Sequence, residues 1–419
     1  MAHERGSDDD DGRGPQPVTV ALSAGLSTSR GGRLLGVDAA RAVALVGMFA
    51  AHVLPLRDGG TETLTGLLAD GRSSALFAVL AGVGVALFTG GPHRPPDARS
   101  HLAAASALLV RGVLVALLGL WLVGLDPPVA VILAYYGLLF AVAAPVLRLP
   151  AAALAVGAVL ACGMTPVASH LLRAEGPDGP GEQPGLAALA EPGELLGTLA
   201  LTGYYPVLPW TTYLLAGMAV GRLDLRRVRV AVGLLAGGAV LAVLATAASA
   251  MLLGPGGGAA VIGSAALQRR RFGTTPTDTW WWLAVDTPHS SAPLDLAHTT
   301  GTALAVLGAM LLLARWARPL VWAPAAVGAV PLTLYTLHVI AVTVYPGSGP
   351  DDGAVWLANV LAATVIGSVL GLTGRRGPLE LVASAASRAA RRAVTSCTRQ
   401  WASASRIDGT HNGQERHGR

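Results

Sequence analysis

Lysine is absent: each of the 30 basic residues in this 419-residue chain is an arginine. Schiff-base catalysis by lysine and the lysine of a phosphate-binding loop are thereby excluded. Cysteine is nearly absent too, with Cys162 in an apolar run and Cys397 in a polar tail. Two isolated thiols make neither a disulfide framework nor a metal-ligand cluster, so no metal is expected. Charge of either sign is also scarce. Charged residues are 13% of the chain and hydrophobic ones 52%, whereas ordinary soluble domains are about a quarter charged. A water-soluble fold has no interior large enough for so much apolar surface, which leaves an integral membrane protein. The opening "MAHERGSDDDDGRG" lacks the pattern of a cleavable leader, so the first apolar run is expected to stay as a span. The net charge of +5 does not point to nucleic acid, because the arginines fall mostly in short loops and the tail. No nucleic-acid partner is expected; the bilayer is.

What the chain does have is a series of long apolar runs. A membrane-crossing helix needs about 20 mostly apolar residues, and such runs lie at roughly 34–56, 74–90, 103–124, 129–147, 150–172, 197–221, 229–253, 293–314, 320–345 and 354–373. The expected fold class is all-α, a polytopic transmembrane helix bundle of about ten spans. Arginine-rich loops stay in the cytoplasm. With a cytoplasmic N-terminus, the internal loops hold Arg94, Arg99, Arg148, Arg222, Arg226, Arg227, Arg229, Arg315 and Arg318. The external ones hold Asp126, Glu175, Asp178, Glu182, Glu191, Glu194, Asp351 and Asp352. Both termini are then cytoplasmic, in a multi-pass protein of the cell membrane. One loop dissents. "LQRRRFG" (Arg269 to Arg271) falls outside, either because long loops cross regardless of charge or because it is an anion site. Trp280 to Trp282 in the same loop suit an interfacial anchor or a platform for stacking a sugar. Residues 1–33 are expected to be a disordered cytoplasmic segment, 34–373 the membrane domain, and 374–419 a basic cytoplasmic tail. In the tail Val382, Ala386, Ala389, Ala393, Cys397 and Trp401 fall at helical spacing, which predicts a helix on the membrane surface.

The first span, "VDAARAVALVGMFAAHVL", carries Asp38, Arg41 and His52. Arg41 and His52 are 11 residues apart, about 20° past three full turns and about 16 Å along the axis, so they share a face. Asp38 precedes Arg41 by three residues and joins it, with Leu45 and Met48 between. An ionisable group facing lipid near the helix centre costs about 2.5–3.5 kcal/mol, and a single inward face avoids that cost. The alternative is an i,i+3 ion pair that snorkels to one interface while His52 sits at the other.

These residues carry a resemblance. "RAVALVGMFAAH" is similar to the first-helix Arg-x10-His pattern of the acyltransferase-3 membrane family. "LLGVDAARAVALVGMFAAHVL" resembles the opening of the heparan-α-glucosaminide N-acetyltransferase-like family. "LLADGRSSALFAVLAGVGVAL" and "PLTLYTLHVI" resemble a related group of uncharacterised bacterial multi-span proteins. The resemblance implies transfer of an acyl group, often acetyl from acetyl-CoA, across the membrane to a sugar or glycan outside. Acyl-CoA would be a co-substrate rather than a bound cofactor, and Arg41 and His52 are the positions that carry over. The acetyltransferase family typically has a histidine in the external loop after its first helix. The loop here, "RDGGTETLTGLLAD", has none, which leaves His52 as the substitute.

Further polar groups converge on the outer side of this topology. Asp70 and Arg72 open the second span, His338 lies in the outer half of the ninth with Tyr335 one turn before it, and His289 and His298 flank the eighth. In "GYYPVLPWTTYLLAG", Pro206 and Pro209 each remove a helix donor, which predicts a break. Tyr204, Tyr205, Trp210 and Thr211 then belong to a pocket or to an aromatic belt. Arg111 sits well inside the third span, suited either to donor phosphate or to an ion pair with Asp38. The leading expectation is an acyltransferase with His52, Asp70 and His338 as catalytic candidates. Arg41, Arg111 and Asp38 would serve the donor. Arg72, Tyr205, Trp210, His289, His298 and Tyr335 would line the acceptor pocket. Intramembrane charges and a broken span equally suit a small-molecule or lipid transporter.

Overall fold

The computed structural model describes residues 33–174, 181–345 and 351–414, with side chains to Ser396. The expectation of disorder for 1–33 falls almost wholly outside the described residues. From Leu34 onward the chain is one all-α bundle. Its helices are α1 (Leu35–Val53), α2 (Leu64–Ala69), α3 (Arg72–Phe88), α4 (Ala98–Val123), α5 (Leu133–Ala143), α6 (Ala151–Leu172), α7 (Pro192–Gly197) and α8 (Val207–Gly221). They continue with α9 (Val228–Leu253), the short α10 (Gly258–Ile262) and α11 (Ser264–Leu267), α12 (Pro293–Trp316), α13 (Arg318–Val327), α14 (Pro331–Val344), α15 (Asp352–Leu372) and α16 (Pro378–Gln414). A two-residue hairpin pairs Arg57 with Glu62 between α1 and α2.

Each expected run coincides with an apolar helix, though among the described residues not every one has the length of a full span. Among the described residues, seven helices are long and apolar enough to cross a bilayer, with α2 and α3 taken together, or eight if α13 and α14 act as one span bent by 62°. The runs at 129–147 and 197–221 yield only shorter apolar helices. The reason is local. Pro127 and Pro128 delay the start of α5 until Leu133, and proline cannot donate to a helix ladder. Pro206 ends the second run's first segment, so α8 starts at Val207. The break foreseen there is real: Thr198–Thr202 forms a π-helical turn, closed by Gly203 N–H donating to the Thr198 carbonyl at 2.8 Å.

Burial separates centre from periphery. Helices α1 and α3 are enclosed, whereas α6, α9 and α15 turn most of their surface outward. Their exposed side chains are large and apolar, such as Val159, Leu160, Met164, Val243, Leu244 and Val365, as hydrocarbon requires of a lipid-facing surface. The basic loops meet at one end. Arg94 donates to the Arg148 carbonyl, Arg148 to Pro96, and Arg315 to Arg226. Buried Arg222 clamps that end, donating to the carbonyls of Ala86, Gly91 and Leu147 and to Thr89 Oγ1. Asp97 starts α4 by accepting from Ser100 N–H at 2.7 Å, a bond that holds its carboxyl below the usual range.

The tail departs from expectation. Its first half packs along α4 rather than lying apart from the bundle, with Ala383 and Ser387 buried. Val382, placed by its spacing on the apolar face, is exposed. The side chains of Cys397 and Trp401 lie outside the described residues. Arg99 donates to the Thr395 carbonyl, while Glu380 reaches the cavity that Arg111 lines. The helix therefore runs antiparallel to α4, from the bundle's middle toward its basic end.

Candidate active site

Helix α1 presents Arg41 and His52, which the spacing puts on one face, to two different cavities. The first, of about 310 Å³, is lined by Arg41, Arg111, Tyr136, Glu380 and Tyr335 among mainly apolar neighbours. The second, of about 470 Å³, is lined by His52, Asp70, Gln183, Tyr204, Tyr205, Arg270, His289 and again Tyr335. Tyr335, fully buried on α14, thus stands between the two. Its hydroxyl accepts from Ile132 N–H at 3.3 Å. The first cavity lies toward the basic end, because the start of α1 packs through Gly36 on Leu311, near the Arg315 end of α12. The second lies toward the other.

Asp38 lines neither cavity: it is buried behind the first and accepts from Arg41 at 2.8 Å, so the i,i+3 pair exists. Asp38 is not the partner of Arg111. Among the described residues Arg111 has no hydrogen bond or ion pair. The Glu380 carboxylate faces the same space but is engaged at the start of α14. It accepts from Leu332 N–H at 2.8 Å, Thr333 N–H at 3.1 Å and the Thr333 hydroxyl at 2.5 Å, a capping role played from another helix.

In the second cavity His52 Nδ1 lies 3.1 Å from His338 Nε2. His338 Nδ1 is 3.0 Å from Asn359 Oδ1 on α15. Phe49, one turn before His52, stacks on the His338 ring at 4.0 Å between centroids. Asp70, which could have oriented His52, turns to other partners: Arg270 at 3.1 Å and His289 at 3.4 Å. It sits at the corner between α2 and α3, where Gly71 has φ +70 with Pro288 packed against its backbone. An L side chain in that conformation is strained, so glycine suits the corner. His289 itself has φ +60, a cost that a non-glycine residue bears only when its surroundings hold it there. Gln183 anchors the rim by accepting from Val131 N–H at 2.7 Å and donating to the Val129 carbonyl at 3.0 Å.

Of the remaining candidates, Tyr205 lines the second cavity, and Trp210 packs edge-on against it at 5.1 Å without reaching that space. Arg72 and His298 are not among the lining residues of either cavity. His298 instead points to α9, at 2.9 Å from Thr246 Oγ1. The dissenting arginines divide, with Arg270 on Asp70 and Arg271 stacked over Trp282 at 4.3 Å. Trp280 packs against His170, and neither Trp280 nor Trp282 lines the second cavity. Asn359, Gln183 and Glu380 were not foreseen, and Arg270 was foreseen only as part of a possible anion site. Only Asn359 carried a signal, a polar amide inside an apolar run.

A helix bundle with cavities lined by charged side chains and an apolar outer surface defines a multi-pass membrane protein with a polar site. The model of the heparan-alpha-glucosaminide N-acetyltransferase catalytic domain matches residues 33–254, more than half of the chain, and the chain belongs to that family. Comparison with curated proteins and with solved structures finds no match. The matched region carries Asp38, Arg41, His52, Asp70 and Arg111 and stops before Arg270, His289, His338 and Asn359.

Proposed function

We propose that this protein is a membrane acyltransferase that takes an acyl group, acetyl in the first instance, from a cytoplasmic acyl-CoA to an extracytoplasmic sugar or glycan. The protein would sit in the cell membrane with its basic end and both termini in the cytoplasm. The observation that carries the reading is a pair of abutting cavities of opposite chemistry. One offers two guanidinium groups, Arg41 and Arg111, suited to the phosphates of a nucleotide carrier. The other holds an imidazole, His52, beside sugar-sized space with polar walls. A slender thioester arm entering from the first reaches the second beside Tyr335. There His52 takes the proton of the acceptor hydroxyl or amine as that atom attacks the thioester carbonyl. The carbon–sulfur bond then breaks, and the departing thiolate receives the proton back from His52. The bundle keeps water from the thioester during transfer.

The test uses purified full-length protein in nanodiscs with radiolabelled acetyl-CoA and a glucosamine-terminated oligosaccharide. Labelled acceptor should form, and His52→Ala should lower the rate by at least about 100-fold, the range of a lost general base. Transfer that survives this substitution at full rate removes His52 from the mechanism. The transporter reading retains a specific support, since the broken pairs α7–α8 and α13–α14 resemble the interrupted helices of carriers. It predicts acceptor uptake into proteoliposomes with no consumption of acetyl-CoA.

A further inference from the structure

We infer that Asn359 is a positioning residue that fixes which nitrogen of His52 carries the lone pair, acting through His338. The inference rests on His52 being the base proposed above. Its starting point is an amide whose orientation has one solution. Asn359 Nδ2 lies 2.9 Å from the Val355 carbonyl, one turn back on α15. A carbonyl only accepts, so the nitrogen side of the amide must face Val355. The oxygen, Oδ1, is thereby turned to His338 Nδ1 at 3.0 Å. That oxygen also only accepts, so His338 carries its proton on Nδ1.

A neutral imidazole has one protonated nitrogen, which makes His338 Nε2 the acceptor. His52 Nδ1, 3.1 Å away, must then be the donor. The proton on His52 is accounted for, and its lone pair stands on Nε2, on the cavity-lining side chain. Reversing any single bond would set two donors or two acceptors face to face. The rings are held for this arrangement. Phe49 stacks on His338 with an interplanar angle of 23°, and the His52 and His338 rings lie within 14° of parallel. When His52 Nε2 takes the acceptor's proton, Nδ1–H keeps its bond to His338, and the imidazolium charge is stabilised by the polarised chain behind it. The charged and titratable groups across the cavity are Asp70, which binds both Arg270 and His289, and the phenols of Tyr204, Tyr205 and Tyr335. Asn359 and His338 both lie outside the part of the chain that the family model matches.

The experiment compares Asn359→Leu, which fills the space without an acceptor, with Asn359→Asp, which keeps the acceptor and adds charge. Asn359→Leu should lower kcat by roughly 10- to 100-fold, as loss of a partner that orients a functional imidazole does, with the KM for acetyl-CoA unchanged. Asn359→Asp should restore most of the rate and move the acid limb of the kcat/KM profile to higher pH, because a carboxylate behind the pair makes it more basic. Nitrogen-15 spectra of histidine-labelled protein in lipid, assigned with His338→Gln and His52→Gln, should show both rings protonated on Nδ1, and the pattern should be lost in Asn359→Leu. If His52→Ala is inactive while Asn359→Leu keeps the wild-type rate and pH profile, the inference fails and the base assignment stands. Nε2 protonation of His52 in the neutral wild-type protein also overturns it. Full activity of His52→Ala removes the reading on which it rests.

Discussion

Arginines in this protein differ in what they have left to offer. Arg222 is buried and spends its guanidinium on three carbonyls and one hydroxyl, so it holds loops together. Arg41 is joined to Asp38 and Arg270 to Asp70. Arg111 alone of these lines a cavity without a hydrogen bond or ion pair among the described residues. A cation in that position is expensive unless an anion visits it. Arg111→Leu should therefore raise the KM for acetyl-CoA about tenfold or more, worth about 1.4 kcal/mol, and leave the acceptor KM unchanged in steady-state assays. An unchanged donor KM would assign Arg111 to some other role.

Whole helices place these side chains through close approach. Helices α3 and α8 cross where Gly82 faces Gly217, and a Cβ on Gly217 would fall on the Val79 carbonyl. The contact is backbone on backbone, so no flexible side chain can yield. Gly217→Val should force the pair apart at a cost of about 1–3 kcal/mol or more, seen as a lower thermal midpoint of the detergent-solubilised protein. Retention of the wild-type midpoint would mean that the crossing is looser than described. The break between α7 and α8 has the opposite purpose. It frees the backbone N–H of Tyr204, which donates to the Tyr135 hydroxyl at 3.1 Å, and it delivers Tyr204 and Tyr205 to the second cavity.

Across the molecule, the basic loops gather at the end nearer Arg41 and Arg111, and the Asp70, Arg270 and His289 group gathers at the other. By the positive-inside rule the proposed function expects the first end in the cytoplasm. Single cysteines test this after Cys162 and Cys397 are replaced by serine. An impermeant maleimide applied to intact cells should label Glu62→Cys in the hairpin at once, and Arg148→Cys only after permeabilisation. The opposite pattern would invert the topology and place the His52 cavity on the donor's side, ending the transfer scheme proposed above.

Membrane residence and the apolar helices were legible in the sequence, because hydrocarbon demands long runs free of charge and any such run is visible without knowing its neighbours. The shared face of Asp38, Arg41 and His52 was legible for a similar reason, since helical rotation is local arithmetic. Proline betrayed the interruption before α8 because its missing donor acts within one turn. Which groups meet across helices was not legible. His52 with His338, His338 with Asn359, Asp70 with Arg270, and Glu380 with Leu332 at the start of α14 join residues 286, 21, 200 and 48 positions apart. Those pairings depend on how apolar helices rotate and slide against one another, and helices apolar on nearly every side carry no stripe to announce it. Only tertiary packing decided that Arg41 and His52 line separate cavities that meet at Tyr335, because a void is left by every wall at once and is written in no single segment.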